Sequence, residues 1–385
     1  MNRFSYEQLA ALVGRFDIVA SVKEIRPFGS GHINDTFRVL TTASDGTEYL
    51  LQRLNHHVFR DVDAVMQNIA LVTHHLRQRY LNNMGDAYNA GIKVMTLIPT
   101  KEGRLYHLDE NGDCWRIFVF LTGTRSYDVV QTPDQAWEGG RAFGEFQRLL
   151  ADLDPRLIRE VLPAFHHIGR RLENLSRAVD ADPTQRVSSV GAELDFIRLR
   201  EQRMRTILSL ADAGRLPIRV THNDTKFNNV LLDEHDRAQC VIDLDTVMPG
   251  YVAYDFGDAI RTIISSAPED EPDLDKIRLS IDLFEAYTEG YLSEMHSILT
   301  EDELETLVEG VLLLPYMQGV RFLTDFLEGD HYYKTTHPEH NLQRTRSQLR
   351  LVEQLEAHEQ ELRKIVADVA ARYRSVAEQG RTGLS

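Results

Sequence analysis

Thr221-His222-Asn223-Asp224-Thr225-Lys226-Phe227-Asn228-Asn229 sits between two short apolar runs, Ile218-Arg219-Val220 and Val230-Leu231-Leu232. The pattern is H-x-D-x-x-x-x-N on a loop joining two short strands. Asp and Asn beside turns ordinarily serve turn chemistry, because their side chains bond the nearby backbone. A second pattern downstream weighs against that reading. After a hairpin turn near residues 233–237, the apolar pair Val241-Ile242 ends in Asp243-Leu244-Asp245. Strand-ending loop, hairpin and strand-ending acid therefore follow one another inside a stretch that is otherwise helical in period.

The Asp-to-Asn spacing equals that of the protein-kinase catalytic loop. Phosphoryl transfer explains the residue types. A carboxylate accepts the proton of the attacking hydroxyl, and an amide oxygen further along the loop holds a metal ion. Asp224 is the candidate base and Asn229 a candidate Mg²⁺ ligand. Asp243 is the second candidate ligand, since Mg²⁺ takes oxygens from one or two side chains together with phosphate. His222 reads as a brace for the loop.

Outward from this core the chain divides in character. Residues 1–20 read as a helix. Ser21–Phe28, Asp35–Thr42 and Glu48–Asn55 are β-rich, with Ser44-Asp45-Gly46 as a hairpin turn. A helical period runs over 62–80. Strand patterns follow in KVMTLIPT, RLYHLDE and CWRIFVFL, with Asn111-Gly112-Asp113 as a second turn. Past a connector at 121–124, helical periods cover 134–151, 167–181, 190–212 and much of 256–378. The expectation is an α+β, two-lobed fold: residues 1–120 as a β-rich N-terminal lobe and residues 121–385 as a helical C-terminal lobe holding the loop and hairpin.

Gly29-Ser30-Gly31 joins two of the strands. Glycines let backbone amides approach phosphates closely, so this turn is the candidate phosphate lid, although most such tripeptides are plain hairpin turns. Kinases place a lysine on the third strand, paired with a helix glutamate. Here Gln52 stands at that position with Arg53 beside it, and strand alternation sends Arg53 to the opposite face. The following helix offers Gln67 and Asn68 but no glutamate, so a Gln–Gln or Gln–Asn hydrogen bond is the expected substitute.

Bulk properties set limits. The 385 residues, 42% hydrophobic and 26% charged, suit a soluble enzyme with a substantial core. The formal net charge of −16 argues against a nucleic-acid or anionic membrane surface. Cys114 and Cys240 are too few and too far apart for a disulfide framework or a cysteine zinc site. The paired histidines 56/57, 74/75 and 166/167 point apart as neighbours, which speaks against a transition-metal site. No apolar run is long enough to span a bilayer, and the first residues lack a signal-peptide core, so a cytoplasmic location is expected. Oligomeric state is left open.

The segments FGSGHINDTF, YLLQRLNHHVF, RAFGEFQRLL, THNDTKFNNVLLD, VIDLDTVMPG, YDFGDAIR and RFLTDFLEGDHYY run from about residue 25 to 335. Together they resemble the aminoglycoside phosphotransferase and choline kinase superfamily, which has the protein-kinase fold, and within it bacterial N-acetylhexosamine 1-kinases. The resemblance implies ATP as co-substrate, Mg²⁺, and phosphorylation of the anomeric hydroxyl of N-acetylglucosamine or N-acetylgalactosamine. It implies sugar contacts from His32, Asp224, Thr246, Arg321 and Tyr332. Read without it, Arg321 could equally pair with Asp325 one turn along a helix. Asp255 and Asp258 read as a cap for the helix starting there and as support for the metal loop. Two rivals stay open: a kinase for another hexose, amino alcohol or aminoglycoside, and a silent nucleotide-binding scaffold lacking the lysine–glutamate pair.

Overall fold

The computed structural model describes residues 4–29, 33–84, 91–265 and 267–382. It divides into two compact units: Met1–Arg125 with Asp152–Leu162 and Leu231–Met248, and Ser126–Ala151 with Pro163–Val230 and Pro249–Ser385. Each unit draws on separated stretches of chain. Among the described residues no helix is long and apolar enough to cross a membrane.

The first unit is built on a sheet. Helix α1 (Tyr6–Val13) starts at Ser5, whose hydroxyl accepts from the Gln8 N–H at 3.2 Å while the Gln8 side chain takes the Ser5 N–H at 2.8 Å. This reciprocal cap fixes the first turn. The helix ends well short of residue 20, because Phe16 bridges Thr100 and drops into the core. Strands β1 (Val22–Pro27), β2 (Asp35–Thr41), β3 (Glu48–Leu54), β4 (Leu97–Ile98), β5 (His107–Leu108) and β6 (Cys114–Val119) form one sheet. It is antiparallel in order β1-β2-β3-β6-β4, with β5 also on β6. Helix α2 (Val62–Met84) follows β3. Two expected strands shrink to the two-residue β4 and β5. Between them a turn closes from Gly103 N–H to the Thr100 carbonyl at 2.8 Å, and Gly103 has φ 78°.

Alternation along the strands separates core from site. Phe37, Leu51 and Ile117 lie in one cross-strand row. With Val39 and Trp115 they pack against Leu9 and Val13 of α1, all buried. Burial of such side chains stabilises by about 1.5–3 kcal/mol each. One residue out of phase, Thr36, Gln52 and Arg116 form the adjacent row on the other face. Strands β7 (Arg219–Thr221), β8 (Val230–Leu232), β9 (Ala238–Val241) and β10 (Met248–Gly250) come later in the chain. The β8–β9 turn is held by Asp233, whose carboxylate accepts from the His235 and Arg237 N–H groups at 2.8 and 3.0 Å.

The second unit is helical: α3 (Pro133–Leu149), α4 (Ile168–Ala181), α5 (Gly191–Met204), α6 (Thr206–Asp212), α7 (Val252–Ile263), α8 (Ile281–Met295), α9 (Glu301–Glu328), α10 (His340–Ala357) and α11 (Glu359–Thr382). The single helix expected over 190–212 is broken at Arg205 into α5 and α6. Helices α3 and α8 touch through backbone. A Cβ on Gly140 would stand 2.1 Å from the Tyr287 carbonyl oxygen, and one on Gly290 would stand 2.0 Å from that of Trp137. That close approach orients the inner face of α3, carrying Phe143, Phe146 and Gln147, toward the loop after β7.

Candidate active site

In the second unit the loop after β7 is held by backbone bonds to two carboxylates. Asp255, 1% exposed in the first turn of α7, accepts from the His222 N–H at 2.8 Å and the Asn223 N–H at 2.7 Å. Gln147 donates to the same carboxylate at 2.7 Å and in turn accepts from the Tyr291 hydroxyl. One turn on, Asp258 accepts from the Thr225 N–H at 3.0 Å, and the Thr225 hydroxyl donates to the Asp255 carbonyl at 2.5 Å. Both carboxylates thus serve the loop. The cap read from sequence is not what they form: the helix cap is Tyr251, with no side-chain bond, and positions 255 and 258 project from one helix face. Burial raises the Asp255 pKa above the usual carboxylate range, against the pull of His222 and the donated N–H groups.

His222 is fully buried, with the rings of Phe143 and Phe146 edge-on at 5.6 and 5.7 Å. Its Nδ1 accepts from the Asp224 N–H at 3.3 Å, so it braces the loop as the sequence suggested. Asn223 takes φ 64°, the left-handed conformation that Asn tolerates. That twist presents Asp224. Its Oδ1 is 2.9 Å from Lys226 Nζ, and Asn229 Nδ2 donates to its Oδ2 at 3.3 Å and to its backbone carbonyl at 2.8 Å. Burial favours the neutral acid, but attraction to Lys226 outweighs it and holds Asp224 below the ordinary range. Asp224 is an ionised carboxylate at neutral pH. Because the Asn229 nitrogen donates to Asp224, its amide oxygen is the end left for another ligand.

Beside this loop lies an arginine pair. His166 is 8% exposed and its Nε2 lies 3.1 Å from the Asn223 carbonyl. Desolvation lowers its pKa to about 4. Its neighbour Phe165 touches both arginines: Arg171 donates to the Phe165 carbonyl at 3.2 and 2.7 Å, and the Arg321 guanidinium lies 5.2 Å from its ring centre. Arg321 also lies 6.0 Å from the ring of Tyr332 and 5.7 Å from that of Tyr333, and donates to Gln318 at 3.1 Å. Burial, reinforced by the charge of Arg321, lowers the Arg171 pKa to about 10. Among the described residues neither arginine has a carboxylate within ion-pair distance. The Arg321–Asp325 pair does not form. Asp325 instead accepts from the His331, Tyr332 and Tyr333 N–H groups and from Asn341 at 2.8–3.0 Å, shaping the turn that carries Tyr332. Tyr332 is 62% exposed.

The first unit holds the other candidates. Gly29 follows β1 at φ 78°, with open space where a side chain would stand. Ser30, Gly31 and His32 lie outside the described residues. Gln52 does not bond Gln67 or Asn68. Its Nε2 donates to Thr36 at 3.2 Å and its Oε1 accepts from Arg116 at 3.1 Å, while Asn68 is occupied by the Arg159 and Val247 carbonyls at 2.8 and 3.0 Å. Arg53, on the opposite face as alternation demands, is paired with Asp35 at 2.5 Å and Asp113 at 2.8 Å. Arg116 forms a fork on Asp245, at 2.5 and 3.0 Å, and Asn34 donates to the same carboxylate at 2.8 Å. Both partners of that ion pair are almost fully buried.

Asp243 and Asp245 therefore differ in kind. Asp245 is consumed by Arg116 and Asn34, whereas Asp243 is exposed on a left-handed residue, φ 58°, immediately before the turn Leu244–Thr246. Thr246, the remaining candidate, is 8% exposed within that turn. Arg116, Lys226, Arg171 and His166 had no role in the sequence reading. A charge inside the apolar run CWRIFVFL was the available signal for Arg116, and the place of Lys226 between Asp224 and Asn229 was the signal for it.

Solved structures share this architecture. An aminoglycoside phosphotransferase from Alicyclobacillus acidocaldarius matches with TM-score 0.60 at 14% identity, over 93% of this chain and 96% of that one. A spectinomycin phosphotransferase, solved with ADP and spectinomycin, gives 0.55 at 13% over 93% and 99%. A choline/ethanolamine kinase family protein from Mesorhizobium loti gives 0.54 at 17% over 91% and 93%. At such identities the likeness speaks for the fold, which is the protein-kinase-like α+β arrangement. The phosphotransferase enzyme family, APH, matches residues 24–292, which include the glycine turn, the Asp224 loop and Asp243, and on that match the chain belongs to this family.

Proposed function

We propose that this phosphotransferase is an ATP- and Mg²⁺-dependent kinase that phosphorylates the anomeric hydroxyl of an N-acetylhexosamine, giving the sugar 1-phosphate. The observation that carries the reading is the ionised Asp224 carboxylate on a loop pinned by Asp255 and Asp258. A carboxylate held in that way needs no reorganisation to accept a hydroxyl proton. The sugar oxygen forms its bond to the γ-phosphorus, the bond from that phosphorus to the bridging oxygen breaks, and ADP leaves with the electron pair. The proton of the hydroxyl passes to Asp224. An anomeric hydroxyl is more acidic than an ordinary alcohol, which eases the transfer.

The donor set suits Mg²⁺. Asp243 offers an exposed carboxylate, and Asn229 offers an amide oxygen opposite the nitrogen that bonds Asp224. When bound, the ion neutralises charge on the phosphates. Gly29, with Ser30 and Gly31, is the turn assigned to the ATP phosphates, and Gln52 takes the strand position where kinases carry lysine.

The acceptor side favours a sugar over a cation. Rings at Phe165, Tyr332 and Tyr333 offer apolar faces, and Arg321 has N–H donors for hydroxyl or acetamide oxygens. Two arginines without a carboxylate partner among the described residues repel an ammonium group, which disfavours aminoglycosides and amino alcohols. In the resemblance His32 and Thr246 complete the sugar contacts. The test is ADP release with Mg·ATP over a panel of hexoses, N-acetylhexosamines, amino alcohols and aminoglycosides, followed by phosphorus NMR of the product. Turnover of N-acetylglucosamine or N-acetylgalactosamine to the 1-phosphate is the expected result. Preferred turnover of a cationic acceptor would refute the sugar assignment and leave the kinase chemistry standing.

A further inference from the structure

The acceptor side of the second unit carries more positive charge than a neutral sugar needs. Phe165 gathers Arg171 of α4 on its carbonyl and Arg321 of α9 against its ring. The next residue, His166, lies 3.1 Å from the carbonyl of Asn223, one residue before Asp224, which puts the pair beside the catalytic loop. Carboxylates close to the pair in sequence are spent elsewhere: Glu173 on Arg170, Asp330 on Arg186, and Asp325 on the backbone N–H groups of residues 331–333. A third guanidinium, Arg344 of α10, lies 5.4 Å from the ring of Phe322, which packs 4.6 Å from that of Tyr333. Among the described residues it too has no carboxylate at ion-pair distance, and its Nε is buried without a hydrogen-bond partner. In a chain of net charge −16, three arginines without counter-charge around one aromatic group are a local excess that folding does not require.

We infer that the acceptor is a sugar bearing a negatively charged substituent, a carboxylate or a phosphate monoester, which Arg171 and Arg321 bind together. The inference rests on the kinase reading above and adds a charge to its acceptor. Each guanidinium has five N–H donors. Arg321 spends one on Gln318, and Arg171 spends two on the Phe165 carbonyl. The others find no acceptor among the described residues. An anion held by both arginines takes charge-assisted bonds, and the planar fork of a guanidinium matches a pair of carboxylate or phosphate oxygens. It also supplies the counter-charge that the protein withholds. The place is open to it, since Arg171 and Arg321 are half-buried and Tyr332 is 62% exposed. Partial burial weakens the screening that salt imposes on an exposed pair. The rings of Phe165, Tyr332 and Tyr333 suit the apolar faces of the sugar, and Arg171 is the residue that separates an anionic acceptor from a neutral one.

Initial rates with Mg·ATP are measured for the wild type, Arg171→Gln and Arg171→Lys. The acceptors are N-acetylglucosamine, its 6-phosphate, its 6-carboxylate (N-acetylglucosaminuronic acid) and its 3-O-lactyl ether (N-acetylmuramic acid). The wild type should use at least one anionic acceptor with kcat/KM about tenfold or more above that for N-acetylglucosamine, and the one it prefers identifies the substituent. In Arg171→Gln the ratio of those two kcat/KM values should fall by about tenfold to a hundredfold, with partial recovery in Arg171→Lys. A ratio is unaffected by a general loss of folded enzyme. If Arg171→Gln turns over nothing, the wild-type ratio at about 0.05 M and about 0.5 M salt decides: a preference that falls as salt rises supports the inference, and one that does not change overturns it. N-acetylglucosamine used as well as or better than all three anionic acceptors overturns the inference and leaves the kinase reading standing. An anionic preference that Arg171→Gln keeps within about threefold does the same. A wild type that phosphorylates none of these acceptors, nor any in the wider panel, overturns the kinase reading, and this inference with it.

Discussion

Replacing Arg116 by methionine tests how the metal loop is held. The side chain spans a fork to Asp245 at 2.5 and 3.0 Å, with the two side chains 2% and 4% exposed. Burial alone would push the Arg116 pKa down, yet the Asp245 charge more than offsets it and raises the value. Arg116→Met leaves a buried carboxylate that still accepts from Asn34 but has lost its counter-charge. Removing one partner of such a pair costs about 3–5 kcal/mol, a large share of the roughly 5–15 kcal/mol that stabilises a domain. Replacing both, as in Arg116→Met with Asp245→Leu, removes the stranded charge and should return most of that loss, leaving a deficit of about 1.5 kcal/mol or less. The assay is urea denaturation followed by tryptophan fluorescence. The chain has two tryptophans, and a Trp137→Phe background leaves Trp115, buried next to Arg116, to report on the first unit. With m of about 2 kcal/mol/M, the single variant should shift the midpoint down by about 2 M and the double variant by less than about 1 M. A single variant within about 1 kcal/mol of its parent, or a double variant worse than the single, would refute the reasoning.

Asp243→Ala should raise the Mg²⁺ concentration for half-maximal rate by more than about tenfold, since a carboxylate ligand is lost; an unchanged Mg²⁺ dependence contradicts the metal role. Arg321→Ala should raise the acceptor KM by about tenfold while the ATP KM stays within about twofold, which steady-state kinetics with both substrates varied will separate. His166 has a folded pKa lowered to about 4 from 6.5 by burial. Its contribution to stability is therefore complete above pH 6.5 and lost as pH falls toward 4, by up to about 3 kcal/mol. Between pH 7 and 4 the wild type should lose more stability than His166→Phe by about that amount, and parallel curves for the two would contradict it.

The fold was legible where local pattern and tertiary structure agree. Alternation in DTFRVLTT and EYLLQRLN gave β2 and β3, and the helical periods gave α3, α4 and α9. The two-strand frame of the Asp224 loop emerged because apolar residues flank it on both sides. What stayed hidden depends on register and long-range partners. Gln52 meets Arg116 because β3 and β6 pair with those residues opposite, a register no local period encodes. The Asp224 loop is pinned by Asp255 and Asp258 from more than 30 positions downstream, whereas sequence assigned them to their own helix end and to the metal loop. Phe165 gathers Arg171 and Arg321 from two helices far apart in the chain. Sequence singled out Asp243 in VIDLD as the metal candidate, but the role of Asp245 as the buried partner of Arg116 depends on a long-range pairing that no local pattern encodes.

The central claim is that Asp224 takes the acceptor's proton. Asp224→Asn keeps the size of the side chain and the bond from Asn229 to the backbone carbonyl, so Mg·ATP binding should persist. The measurement is turnover of the best acceptor by this variant, with Mg·ATP affinity measured in parallel. The predicted result is a kcat lower by about 10²- to 10⁴-fold with nucleotide affinity retained. Turnover within about threefold of wild type would contradict the claim and move the base elsewhere in the site.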